Sequence, residues 1–268
     1  MSSASTSCIL LQLADYRTET RRHAHKVVQL GQHLIQRGWA SSSTDELWTV
    51  LEQVATAAVE SGQLSLADVC ASRLATQFPD SPRVALLQGV ILEGKGEVLE
   101  AKRWYEQLLD KDEHNTNIRK RLITLHLTSP SSSSTTLTKG KSSTSTSAAG
   151  GLSREKGLEM LVEHLDTVYN DIEGWSQLAS VYAGMGLYPQ SLSALSHLLL
   201  LAPHNPFHLL HHAETAYTLG DYPLAWKEFS RVVEMCEGVT KGDKEGSGGA
   251  GRRAAVGAKL VSGVRRSL

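Results

Sequence analysis

Four glycines of this 268-residue chain stand in two pairs at one separation. Gly62 and Gly96 are 34 apart, and so are Gly186 and Gly220. A small residue follows each glycine by five positions: Ala67, Ala101, Ser191 and Ala225. One such match is cheap, but four copies with the same internal spacing are not. A fixed period in the range of 20–50 residues marks an array of short supersecondary units, each stacked on its neighbours. The chain must then be read as a repeat array, and its function sought on surfaces.

A period of 34 with large residues around a small-residue turn is the tetratricopeptide (TPR) pattern, a helix–turn–helix unit. Copy 172–205 displays it best. Trp175, Leu178, Ala179 and Tyr182 fill a first helix, Gly186 makes the turn, Ser191 and Leu195 follow, and Pro203 closes. Copy 82–115 supplies Gly96, Ala101 and Tyr105, copy 48–81 Gly62, Ala67 and Pro79, and copy 206–239 Gly220, Ala225 and Phe229. Small residues let antiparallel helices approach, large ones fill the gaps, and glycine supplies the positive φ that ends the first helix. Ser81-Pro82 and Asn205-Pro206 read as cap residues before a first-turn proline, and Ser43-x-x-Glu46 as a capping box.

Gly96 and Gly186 are 90 residues apart, two periods and 22 residues over. Residues 129–150 number 22, and 14 are Ser or Thr, a composition that cannot offset the entropy of ordering. A fifth repeat, 116–171, is therefore expected to carry 129–150 as a disordered insertion between helices over 116–128 and 152–168, with Gly157 at the small position. Phosphorylation of its hydroxyls is the functional alternative.

The expected architecture is all-α: a TPR-type helical-repeat superhelix of about five helix pairs. Residues 1–14 read as a disordered N-terminus and 15–38 as an N-terminal capping helix with Val27, Leu30, Leu34 and Ile35 on one stripe. Residues 240–268 read as a Gly/Arg-rich flexible tail. Val232 and Val233 would then lie uncovered, and 206–236 would fray.

Chemistry is scarce. Thr138-Lys139-Gly140-Lys141-Ser142 lacks the leading glycine of a phosphate loop, position 135 being Thr135. His23/His25, His204/His208 and His211/His212 have no metal-ligand spacing, and Cys8, Cys70 and Cys236 form no CxxC. No GxSxG elbow occurs. Arg119-Lys120-Arg121, Arg252-Arg253 and Arg265-Arg266 are short basic clusters that suit a solvated face or an acidic protein partner better than RNA or lipid, the formal net charge being −1. No catalytic residue, metal or cofactor is expected. The apolar runs are too short for a membrane span.

In stacked TPR units the first helices line a concave groove. Arg83, Leu86, Val90, Glu173, Ser176 and Ser180 are its candidate partner contacts. Some TPR proteins clamp acidic chaperone tails there with basic and amide side chains. Glu52, Thr56 and Leu87 occupy the matching positions here, which ranks that use low.

Longer segments carry a closer likeness. They are Gln77-Phe78-Pro79-Asp80-Ser81-Pro82-Arg83-Val84, Ala101-Lys102-Arg103-Trp104-Tyr105-Glu106, Asn115-Thr116-Asn117-Ile118-Arg119-Lys120-Arg121, Trp175-Ser176-Gln177-Leu178-Ala179-Ser180-Val181-Tyr182 and Ala202-Pro203-His204-Asn205-Pro206. On these the chain resembles the subunit 2 family of the endoplasmic reticulum (ER) membrane protein complex over about 20–235. The resemblance implies a non-enzymatic TPR scaffold on the cytosolic side of the ER membrane, peripheral through its partners. Those partners would be other cytosolic and integral membrane subunits, and the complex would support insertion of transmembrane helices. The Ser/Thr insertion departs from the family's usual repeat, and a Gly/Arg segment stands where the family continues with helices. A free cytosolic TPR adaptor or co-chaperone, holding a peptide in its groove, is the alternative.

Overall fold

The computed structural model describes residues 3–19, 23–36, 45–128, 152–239 and 248–267. Those residues form thirteen α-helices and no strand. In chain order they are α1 (Ser3–Thr18), α2 (Ala24–Gln36), α3 (Asp45–Glu60), α4 (Leu64–Gln77), α5 (Pro82–Lys95), α6 (Val98–Lys111), α7 (Thr116–Thr128), α8 (Arg154–Thr167), α9 (Ile172–Gly184), α10 (Tyr188–Leu201), α11 (Pro206–Leu219), α12 (Tyr222–Val239) and α13 (Gly248–Ser267). The chain divides inside α7 into two compact units, one holding residues up to Leu125 and the other running from His126 through the C-terminal helices.

All four echoing glycines sit in the left-handed region, with φ of 77° at Gly62, 83° at Gly96, 75° at Gly186 and 86° at Gly220. Each closes the same C-terminal motif. The amide after the glycine donates back five residues: Gln63 to Ala58 (2.8 Å), Glu97 to Leu92 (3.1 Å), Leu187 to Tyr182 (2.9 Å) and Asp221 to Ala216 (3.0 Å). These bonds satisfy carbonyls the helix leaves orphaned and turn the chain into its return helix.

Five positions on, Ala67, Ala101, Ser191 and Ala225 are buried where the two helices of a pair meet. Ser191 adds a hydrogen bond from Oγ to the Ala179 carbonyl (2.9 Å), tying α10 to α9. In α8, Gly157 is buried, and a Cβ there would lie 2.8 Å from His126 Cβ.

In the first unit the core is continuous from Leu13 and Val28 through Leu51, Val54 and Ala58 to Leu74, Leu87 and Ile91. Tyr105, wholly buried, fills the space beside Gly89 and donates its hydroxyl to Glu93 Oε1 (2.6 Å). Burial, then that bond, raises the Tyr105 phenol well above its usual range. Trp104 Nε1 donates to the Ala85 carbonyl (2.9 Å), which fixes α6 on α5. In the second unit Leu210, Ala213, Ala216, Phe229, Val232 and Cys236 join Ala250, Ala254 and Val261 in one cluster.

Three expectations need correcting. Residues 3–18 are helical, not disordered: Ile9, Leu13 and Tyr16 share one helical stripe, and Leu13 is fully buried against the first-unit core. The single helix expected over 15–38 is accordingly two, α1 and α2. The expected flexible tail contains α13, whose Ala250, Ala254 and Val261 cover α12, so Val232 is fully buried and 206–236 has no open end. The signal was missed because glycine, not leucine, brings this helix close. A Cβ at Gly257 would lie 2.6 Å from the Phe229 ring, and one at Gly251 3.0 Å from Cys236 Cβ.

Of the helix starts, Asn205 caps α11 by accepting from the Phe207 amide (3.0 Å). Ser81 precedes the first-turn proline of α5 without a side-chain cap bond. The capping box at Ser43 and the insertion 129–150 fall outside the described residues.

Candidate interaction surfaces

The first helices carry the candidate groove residues, divided between the units. In the first unit Arg83 stands on α5 with most of its side chain in solvent, and Leu86 and Val90 on the same helix are half-buried. In the second unit Glu173 and Ser180 on α9 are exposed and Ser176 is half-buried, its carbonyl accepting from Ser180 Oγ (2.9 Å).

Arg83 is already engaged. Its Nη2 lies 2.9 Å from both carboxylate oxygens of Glu52 on α3. The pair edges a cleft of about 220 Å³ lined by Trp48, Leu74, Phe78, Val84 and Leu87. Trp48 and Phe78 meet edge to face, 5.5 Å between ring centres, so the Gln77-Phe78-Pro79 turn anchors on α3.

The same polarity recurs between other first helices. Glu93 on α5 faces Arg121 on α7 (3.6 Å), and Glu214 on α11 faces Arg253 on α13 (2.7 Å). In each case the earlier helix gives the acid and the later one the arginine. Surface pairs of this kind are worth ~0–1 kcal/mol each, but they engage Arg83, Arg121 and Arg253. At the cleft the Glu52 carboxylate already holds the Arg83 guanidinium. Arg83 and Glu52 are 31 residues apart, a pairing only the fold creates.

Other polar groupings are structural. His212 Nδ1 lies 2.7 Å from Glu228 Oε2 and its Nε2 3.1 Å from Ser196 Oγ, a chain across α10, α11 and α12. The order imitates a nucleophile–base–acid triad. Ser196, however, is inside α10, where surrounding amides are committed to the helix ladder and cannot receive an oxyanion. Its hydroxyl also bonds the Leu192 carbonyl (2.8 Å). His164, nearly wholly buried, sets Nε2 3.1 Å from Asp171 at the start of α9. Tyr169, Trp175 and His197 form a surface aromatic cluster, the indole stacked on the imidazole at 4.8 Å and the Tyr169 hydroxyl 2.9 Å from His197 Nδ1. The Cys70 thiol is pushed up to about 11 by burial, which keeps it unreactive at neutral pH. Among the described residues no cluster of His, Cys, Asp or Glu could hold a metal ion, and no helix is long and apolar enough to cross a membrane.

In sequence, the chain is 30% identical over 227 residues to ER membrane protein complex subunit 2 of Xenopus tropicalis, covering 84% of this chain and 69% of that protein. Subunit 2-B of Xenopus laevis matches at the same identity and coverage. The chain belongs to the ER membrane protein complex subunit 2 family. Another relative, the TPR repeat protein oca3 of Schizosaccharomyces pombe, is 29% identical over 198 residues, 72% of this chain and 62% of that one. No family profile matches the chain.

Solved structures place this member of the subunit 2 family in the TPR fold. The C-terminal part of a TPR repeat-containing protein from Cytophaga hutchinsonii superposes with a TM-score of 0.53 at 13% identity, covering 87% of this chain and 79% of that one. A crystal structure of MamA gives 0.50 at 13% identity, over 75% and 98%. At such identities the likeness establishes the all-α repeat architecture and nothing about partners.

One further surface was not anticipated. Between α11 and α13 lies a trough of about 530 Å³, lined by Tyr217, Phe229, Val256, Gly257 and Leu260, with Arg252, Arg253 and Glu214 at its edge. A signal for it existed in the Arg252, Val256, Lys259, Leu260 spacing, which lies along one face of a helix once 248–267 is known to be helical.

Proposed function

We propose that this chain is a non-enzymatic scaffold subunit of an ER membrane protein complex. It sits on the cytosolic face of the ER membrane, peripheral through its partners, and supports insertion of transmembrane helices. One observation carries the reading: 30% identity to proteins of that name across 69% of their length. The fold supports it physically. Stacked helix pairs present long faces and first-helix clefts, a geometry suited to holding partners together and not to bond chemistry. Arg83, Leu86, Val90, Glu173, Ser176 and Ser180 remain the proposed first-helix contacts.

Affinity purification of the tagged chain from detergent-solubilised membranes, followed by mass spectrometry, tests the proposal. Integral membrane subunits should co-purify in stoichiometric amounts. Recovery of soluble proteins alone would defeat it and favour the free adaptor. The engagement of Arg83 by Glu52 already weighs against an adaptor that grips acidic tails in that cleft.

A further inference from the structure

The α11–α13 trough differs from the cleft at Glu52 in two respects. Its apolar residues are more open, with Val256 58% and Leu260 54% exposed, while the Phe229 floor is only 2% exposed. Its charge is also unbalanced. From Gly248 to Ser267 the sequence contains Arg252, Arg253, Lys259, Arg265 and Arg266 and no acidic residue. Arg253 is paired with Glu214, whereas Arg252 and Lys259 have no partner among the described residues.

From this geometry we infer that the trough holds an acidic amphipathic helix of a partner protein. Its apolar side chains enter between Tyr217, Val256 and Leu260, and its carboxylates face Arg252 and Lys259. Three features select this occupant. The trough runs between two helices, so a third helix can lie along it and insert side chains at i, i+3 and i+4 spacing. The unpaired charge lining it is the cationic Arg252, and Lys259 lies seven residues on along the same helix, so an acidic partner is favoured and a basic one repelled. A membrane surface is a worse fit. It is planar and would meet the crest of α13 but not the recessed Tyr217 and Phe229, and its anionic headgroups would meet Glu214 at the rim.

The inference rests on the scaffold reading and adds the chemistry of one partner. Its test uses the full chain in native membranes, with a photoreactive benzoylphenylalanine in place of Val256. Irradiation should give a protein adduct whose cross-linked peptide, sequenced by mass spectrometry, has apolar residues at helical spacing and an excess of Asp and Glu. Leu260→Glu and Arg252→Glu, each at an exposed position, should lower adduct yield by about tenfold or more through like-charge repulsion, with an unchanged thermal midpoint. A lipid adduct, a neutral or basic cross-linked segment, the absence of an adduct, or yields insensitive to both substitutions would overturn it. If membrane subunits still co-purify while Val256 gives no adduct, the trough assignment fails and the scaffold reading stands. If they do not co-purify, the scaffold reading itself fails.

Discussion

At the residue scale two kinds of glycine separate by cause. A Cβ at Gly220 would meet nothing within 4 Å, so Gly220→Ala is opposed by backbone conformation alone. Its φ of 86° sets an expected loss of about 1 kcal/mol, read as a lowered urea midpoint. Gly89 is helical with ordinary φ, but a Cβ there would collide with the Tyr105 ring. Gly89→Ala should cost about 1–3 kcal/mol by overpacking and disturb the Tyr105–Glu93 bond. In a Tyr105→Leu background the penalty should shrink, and a double-mutant cycle that shows no coupling would refute the steric account. His208 obeys a different rule. Its ring is held below the usual histidine range, first by burial and then by the neighbouring His211. The folded chain thus favours the neutral ring, and the unfolded chain binds the proton more readily. The stabilising contribution of His208 is present above the ordinary histidine range and is lost as pH falls through it. The drop in urea midpoint between about pH 7.5 and about pH 5.5 should be smaller for His208→Gln than for the parent.

At the element scale α13 decides how the last repeat ends. It contains Gly248, Gly249, Gly251, Gly257 and Gly263, each about 1 kcal/mol worse than alanine in a helix, so packing must hold it helical. Removal of 240–268 uncovers Phe229, Val232 and Cys236, and burying one such side chain is worth about 1.5–3 kcal/mol. Amide exchange in α12 should accelerate on truncation while α9 and α10 stay protected. Gly257→Val, which forces side-chain atoms onto Phe229, should reproduce the effect in the full chain. Normal protection of α12 in both variants would show that α13 is not a cap. These elements also show what a sequence discloses. Gly62, Gly96, Gly186 and Gly220 were legible because positive φ at a helix end is a local demand that one residue type meets. The helix at 248–267 was not, because its close approach uses glycine and alanine, whose sequence signature is that of a flexible segment. Ile9 and Leu13 were not legible as part of a helix, because Ser2, Ser3, Ser5 and Ser7 before them read as disorder. The ion pairs Glu52–Arg83 and Glu214–Arg253 join residues 31 and 39 apart, so no local pattern announces them.

At the scale of the whole molecule, the question is what the folded chain leaves unsatisfied. Single exposed leucines, such as Leu200 at 75% and Leu99 at 55%, are ordinary for a soluble surface. Val256 and Leu260 differ because they share one trough with Tyr217 and Phe229. A protein that binds partners only when folded gains stability from them in proportion to their saturation. For the proposed scaffold, each bound subunit therefore draws the chain away from its unfolded, protease-sensitive state. Loss of one integral membrane partner should shorten the chain's half-life severalfold in a translation-block chase, with its messenger RNA unchanged. Leu260→Glu should shorten it in cells with all partners present, yet leave the thermal midpoint of the purified chain where it was. A free adaptor, folded and stable alone, would keep its half-life in both experiments.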